Sequence, residues 1–346
     1  HIDGAILHAL YRPMDVVNPS PSCLGQAESS RRAWPAMHLE LIQIKALAAA
    51  QAQLSTAGSC DNRESIMYKD IVVPITGTPG DKYALNIALD LAAAHAAHLT
   101  VLELVSMPVP ITGPMGLVPD LIPGVAYERL REQAQLNVEA LRVSLEKEPV
   151  SSEVRLVEAF YSEPEQVAAH HARYADLAVL AGVAGDSVDG DISSLYFSAL
   201  LMQSGRPVLV VPSRCKVDMP PRRIVAAWRP TRECARAFHD ALPMMVAADS
   251  VELLVVDPVI GERGHGEQPG TDIAAHLSRH GVNVNVLVRP SHDNRIATVL
   301  LDHVKDVHAG MLVVGGYGHS RLREWALGGV TRELLFTAHV PVFYSH

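Results

Sequence analysis

Met67-Tyr-Lys-Asp-Ile-Val-Val-Pro74 reads as a buried strand, and from Asp70 onward runs of this kind alternate with amphipathic helices. A strand that is apolar on both faces belongs in a parallel sheet covered on both sides, because a half-exposed strand would alternate apolar with polar. Strands are expected at residues 71–75, 99–105, 153–158, 177–181 and 207–211, and again at 223–228, 251–256, 282–288, 311–315 and 341–344. Between them, residues 81–97 carry Leu85, Ala88, Leu89 and Ala92 at helical spacing, and residues 127–147 carry Leu130, Ala134, Val138 and Leu141. Further helices are expected at 231–247, 271–279, 294–307 and 330–338. The pattern predicts an α/β chain of two tandem doubly wound domains, each a five-stranded parallel sheet with helices on both faces.

The two copies can be laid over each other. Setting Pro207 of Arg206-Pro-Val-Leu-Val-Val-Pro212 on Pro341 of Val340-Pro-Val-Phe-Tyr-Ser345 gives an offset of 134 residues. The same offset places Asp176-Leu-Ala-Val-Leu-Ala181 over Gly310-Met-Leu-Val-Val-Gly315 without a gap. Residues 212–221 are short, polar and proline-bearing, as a connection between domains should be. The domains are therefore placed at 67–214 and 222–346, packed against each other as an internal pseudo-dimer that covers sheet edges. A homodimer of the chain is also open. Residues 1–66 mix Pro, Ser, Ala and Gln without strand alternation, and only the Ala-rich piece at 38–54 has helical propensity. The abrupt change at Met67 marks it as the expected natural start, with 1–66 an extension outside the fold. A signal peptide would need a basic segment before a compact apolar run, and none is written there.

Composition removes several classes of function. A formal charge of −9 over 346 residues argues against a partner held through its phosphate backbone, which needs clustered Lys and Arg. The cysteines at 23, 60, 215 and 234 lack CxxC spacing, so neither a zinc knuckle nor a redox dithiol is expected, and reduced thiols suit a cytoplasmic protein. The most apolar region, residues 84–105, is interrupted by Asp90, His95, His98 and Glu103, too early for a membrane span. His95 with His98, and His170 with His171, lack a third ligand, so no metal is expected. Trp34, Trp228 and Trp325 are too dispersed for a stacking platform.

Gly315-Gly-Tyr-Gly-His-Ser-Arg-Leu-Arg-Glu-Trp-Ala-Leu-Gly-Gly-Val-Thr-Arg332 runs from the end of a predicted strand into the last helix. Glycines at such a junction let backbone approach a ligand, and the first turn of the helix attracts anions. The spacing Gly315-x-x-Gly318, nine residues, Gly328 resembles the adenine-nucleotide motif of the universal stress protein family. The opening strand, the glycine segment and the Pro-bearing final strand fall in that family's order over residues 67–346. The resemblance implies the adenine-nucleotide α-hydrolase-like fold and a pocket for ATP in the second domain. Its residues would be Gly315, Gly318, His319, Ser320, Gly328, Gly329 and Thr331, with Arg229 at the end of the first strand.

Two positions depart from the family pattern. Gly329 stands where a Ser or Thr follows the last motif glycine, leaving Thr331 as the nearest hydroxyl, and Arg229 stands where an Asp is common. The first domain has lost the motif: Ala181, Ala184, Ser194 and Leu195 occupy the places of Gly315, Gly318, Gly328 and Gly329. No nucleotide is expected there, and Gly182-x-x-Gly185 reads as a turn. Arg229 reads first as a solvated arginine at a strand end, Arg321 and Arg323 are equally well surface charge, and the alternative for the glycine loop is a tight connection without a ligand. With no GxSxG elbow, no Walker lysine and no paired carboxylates at the strand ends, no catalytic residue is expected. Three functions follow in order: a stress-response or regulatory protein that binds ATP, a nucleotide-free interaction scaffold, and a slow ATP hydrolase.

Overall fold

The computed structural model of the chain describes residues 67–106, 112–113, 116–117, 122–159, 162–182, 188–261, 264, 266–291, 295–316 and 329–346. The predicted extension at 1–66 lies outside the described residues, as do Gly318, His319, Ser320, Gly328, Ala184, Arg321, Arg323 and Trp325.

Ten strands form one sheet: β1 (Asp70–Ile75), β2 (His98–Ser106), β3 (Ser152–Ala159), β4 (Leu177–Ala181), β5 (Val208–Val211), β6 (Arg223–Ala227), β7 (Ser250–Val256), β8 (Val284–Arg289), β9 (Met311–Gly315) and β10 (Val342–Ser345). Their order across the sheet is β8-β7-β6-β9-β10-β5-β4-β1-β2-β3. Each run of five strands therefore has the same order, third-second-first-fourth-fifth, and every pairing within it is parallel. The one antiparallel pairing joins the two fifth strands, with Val342 opposite Val210, Phe343 opposite Leu209 and Tyr344 opposite Val208. β9 and β10 begin 134 residues after β4 and β5, the offset read from the sequence.

Helices cover both faces. On one lie α1 (Asp81–His95), α2 (Ile122–Leu145), α5 (Arg232–Asp240), α6 (Leu242–Ala247) and α7 (Thr271–Arg279), packed on a core that runs from Ile71 and Val73 through Leu209 and Phe343 to Ile224 and Leu253. On the other lie α3 (Pro164–Ala172), α4 (Val188–Gln203), α8 (Ile296–Asp306) and α9 (Gly329–Thr337), over Val72, Val210, Tyr344 and Val225. Both cores cross the β5–β10 joint, where the Phe197 ring of α4 meets that of Tyr344 edge-on at 4.8 Å. Tyr68, ahead of β1, donates its hydroxyl to the carbonyl of Asp240 in α5 at 2.7 Å, a second tie between the two runs.

Two local readings are corrected. The single helix expected at 231–247 is two, broken at Ala241 (φ −87°, ψ −3°), because Pro243 has no N–H to give and its ring crowds the preceding turn. Leu130, expected to face the core, is 38% exposed. Tyr127 instead packs with Val105, Ala134 and Leu156 at the strand ends. The 212–221 connection packs on the fold: Cys215 and Met219 lie against the core and Pro221 is buried. A side chain at Gly310 would stand 2.9 Å from Val217 and 3.0 Å from Pro221, so the connection is pressed against the start of β9.

Buried histidines give the fold an acid limit. His303 on α8 is 1% exposed and donates Nε2–H to Glu252 on β7 at 2.6 Å, while its Nδ1 is enclosed without a partner. Burial pulls its pKa down, with Arg289 adding to the effect and Glu252 opposing it. Burial likewise lowers His95, helped by Lys69, and His171, helped by Arg155 and His170. The unfolded chain takes up protons at these sites from about pH 6.5 downward, before the folded one does, so their contribution is present above that pH and lost as pH falls. The melting temperature should drop on acidification below about pH 6.5, and His303→Asn should flatten that drop. An unchanged slope in the variant would remove His303 from the account.

Candidate functional site

The order of each run of strands reverses between its first and fourth members, and in open α/β sheets ligands sit beyond the carboxyl ends at such a reversal. In the second run this crevice lies between β6 and β9, which are paired from Met311–Ile224 to Val313–Ala226. β6 leads through Trp228, Arg229 and Pro230 into α5. Arg229 is exposed at the rim, its carbonyl accepting the Thr231 N–H at 2.7 Å. Thr231 caps α5, taking the Cys234 N–H on its hydroxyl at 3.4 Å.

Gly315 ends β9 directly against this cap. A Cβ there would stand 2.6 Å from the backbone nitrogen of Cys234 and 2.8 Å from the carbonyl carbon of Glu233, so only glycine lets the first turn of α5 approach the strand. The first run solves the same contact from the other side: the strand residue is Ala181, and the glycine is Gly80 at the start of α1, whose added Cβ would lie 3.1 Å from Ala181 Cβ. Gly315 is thus fixed by packing, whatever else it does. Gly316 follows, held by its N–H to the Ser345 carbonyl at 2.8 Å and pressed by Leu201 of α4, 2.7 Å from a built Cβ.

Of the other predicted residues, Gly329 opens α9, exposed, with nothing among the described residues within 4 Å of a built Cβ, and Thr331 is 6% exposed within the same turn. The structure therefore brings Gly315 against the first turn of α5, into which the Arg229 loop leads, and gives Gly329 and Thr331 separate environments in the first turn of α9.

The anion seats of the two runs differ. In the first, Asp81 folds back so that its carboxylate accepts the Thr76 N–H (3.2 and 3.1 Å) and the Thr76 hydroxyl (2.8 Å). The N–H groups of Gly77 and Thr78 also point at it, and burial, opposed by these bonds, raises its pKa. The Thr76 N–H and hydroxyl, donors that could serve a phosphate at this turn, are taken by the chain's own carboxylate. α4 adds Asp189 and Asp191 in its first turn, where the helix dipole would otherwise attract an anion. The first turn of α9, its counterpart in the second run, holds no acidic residue.

Carboxylates near these ends escaped the sequence reading. Glu103, within β2 and paired in register with Ile75 at the end of β1, is buried and feels the charge of Asp81, so two carboxylates lie near one strand end. In the second run Glu233 is buried beside Gly315 and accepts from Arg232 Nε at 2.6 Å. Burial raises its pKa, but hydrogen bonds from Arg232, its own backbone and Thr231 hold it below the ordinary value overall. The signal for Asp81 was present as an acid at the first helical position after Thr-Gly-Thr. Glu103 gave none, since a lone acid in an apolar strand looks like an interruption.

Comparison with known proteins bears on both runs. The model of the universal stress protein family matches residues 67–212. Residues 67–212 belong to the universal stress protein family. A universal stress protein from Archaeoglobus fulgidus superposes with a TM-score of 0.60 at 14% identity, covering 80% of this chain and 95% of that one. That likeness extends the fold over both runs of strands. A universal stress protein family member from Burkholderia pseudomallei is 25% identical over 43% of this chain and 98% of its own, with a TM-score of 0.34. A universal stress protein solved with cAMP is 18% identical over 42% of this chain and 98% of its own, with a TM-score of 0.25. A search of the curated proteins returned no match. His98 contacts Ser151 and Glu153, and the rings of His170 and His171 meet edge-on. Among the described residues no helix is long and apolar enough to cross a membrane.

Proposed function

We propose that this stress-response protein holds an adenine nucleotide, ATP, in its second half, beyond the ends of β6 and β9, and that occupancy biases its shape or assembly. The observation that carries this reading is the contrast between the two last helices. α4 begins with Asp189 and Asp191, whereas α9 begins at an exposed Gly329 with no acid in its turn, directly after the glycine segment. An open, acid-free helix start is where a phosphate gains most from the dipole and from backbone N–H groups. Arg229 at the rim adds positive charge.

The first half, its seats occupied by Asp81, Asp189 and Asp191, acts in this reading as a partner surface rather than a second nucleotide site. The pairing of Leu209 with Phe343, residues equivalent at the 134 offset, supports an internal pseudo-dimer with its two-fold axis through that pair.

Calorimetric titration of ATP into the full chain tests the proposal. A single saturable transition is expected, abolished by Gly318→Trp. Gly329→Ser should tighten it about tenfold, the effect of one hydrogen bond to a charged phosphate, because a side chain there meets open space. Hydrolysis faster than in Gly318→Trp would add slow turnover. The second reading, a scaffold without nucleotide, is favoured by Glu233, a buried carboxylate beside Gly315, and by the packing role of that glycine. Absence of heat and of thermal stabilisation by ATP would establish it.

A further inference from the structure

Glu103 stands apart from the other acids of the fold. Glu158 is bridged by Arg131, Glu233 by Arg232 and Asp240 by Arg236. Glu103, 7% exposed between α1 and α2, accepts one hydrogen bond on Oε1 from Asn137 Nδ2 at 2.8 Å, and its Oε2 is enclosed without a partner. Among the described residues no other carboxylate has an enclosed oxygen left unpaired. Its cross-strand neighbour is Ile75, and the next residue, Thr76, belongs to the turn that holds Asp81. Two carboxylates thus lie at one end of the first half with no basic side chain bonded to either among the described residues. Burial raises the pKa of Glu103, the Asn137 bond opposes that, and the charge of Asp81 adds to it.

We infer that the strand ends of the first half form a site for a small organic cation, a primary ammonium, whose N–H groups bond the unpaired Oε2 of Glu103 beside Asp81. An unpaired enclosed oxygen is a defect that folded proteins otherwise avoid, and a donor carrying positive charge supplies the missing bond while offsetting the nearby charge of Asp81. A metal ion suits the place less well. Among the described residues no three His, Cys, Asp or Glu side chains are grouped to hold one, and hard divalent cations need six or more oxygens. An ammonium needs three acceptors at most. The site is independent of nucleotide binding in the second half and complementary to it in charge: where the family pocket would receive an anion, the first half presents carboxylates.

The test is thermal denaturation and calorimetry of the full chain with methylammonium, against tetramethylammonium and magnesium chloride at matched ionic strength. Tetramethylammonium has the charge but no N–H to donate. Saturable stabilisation by methylammonium alone is expected, at least tenfold weaker in Glu103→Gln, which keeps the Asn137 contact and should melt no lower than the parent without ligand. No saturable effect, an equal effect in Glu103→Gln, or equal stabilisation by magnesium or tetramethylammonium overturns the inference. Should Glu103→Gln fail to fold, the carboxyl carbon resonance of Glu103 in the parent decides. It must take up the ionised position with methylammonium at neutral pH, and a resonance that stays protonated throughout overturns the site.

Discussion

Gly315→Ala should destabilise the chain by about 2–3 kcal/mol, the upper part of the range for overpacked sites. The added methyl carbon would lie 2.6 Å from a backbone nitrogen and 2.8 Å from a backbone carbon of α5, and backbone in the first turn of a capped helix cannot rotate away as a side-chain end can. Relief would require moving α5, whose Ala237 and Phe238 are buried in the core, or bending β9 out of its pairing with β6. Gly329→Ala is the control: it belongs to the same motif but meets open space, so its effect should stay within about 0.5 kcal/mol. Urea unfolding of both variants separates a packing glycine from a ligand glycine. A Gly315→Ala protein as stable as its parent would mean that α5 does not press on the strand, and would return Gly315 to the nucleotide alone. The first half supplies an internal comparison. Gly80→Ala brings its methyl to 3.1 Å from Ala181 and 3.0 Å from the Gly182 carbonyl, a milder clash that should cost less.

The same glycine shows where the sequence was legible and where it was not. Most strands were readable because they are short continuous runs of β-branched and aliphatic residues, while the edge strand at 153–158 mixes apolar with charged residues. Residues 177–181 were placed to the residue, and 153–158 within one residue at each end. The 134 offset carried β4 and β5 onto β9 and β10 because no insertion separates them. Edge strand β8 was less distinct, its start shifted from 282 to Val284, since the outermost strand has one neighbour and a weaker apolar signal. What could not be read was any contact between elements distant in the chain. A glycine at a strand end looks the same whether a phosphate or a helix occupies the space beside it. Ala181 looked like a lost motif residue, yet it is half of a compensated pair with Gly80. The broken helix at Ala241 was written in Pro243 and was overridden by the apolar spacing around it. Leu130 kept its helical phase but lies on the flank of the stripe that Tyr127 and Ala134 turn toward Val105 and Leu156.

The joint between β5 and β10 carries the other large effect. Phe343→Ala is expected to cost about 3–5 kcal/mol, and Leu209→Ala about 2–5 kcal/mol, the range for truncating fully enclosed large side chains. Both residues are 0% exposed and face the core shared by α1 and α5, directly opposite each other in the antiparallel pairing. That pairing spans only Val342 to Tyr344, so little backbone hydrogen bonding is available to hold the two runs together once the side chains at its centre are gone. Because the two cavities would merge, the double variant should lose less than the sum of the single losses, by 0.5 kcal/mol or more. Denaturant unfolding followed by fluorescence and circular dichroism measures all three losses on one scale. The parent should unfold in a single transition, since each core runs unbroken across the joint. In the double variant the transitions of the two probes should separate, as the halves lose the side chains that couple them. Strict additivity, or a parent whose two halves already melt apart, would mean that the sheet is continuous in backbone only and that Leu209 and Phe343 do not form its centre.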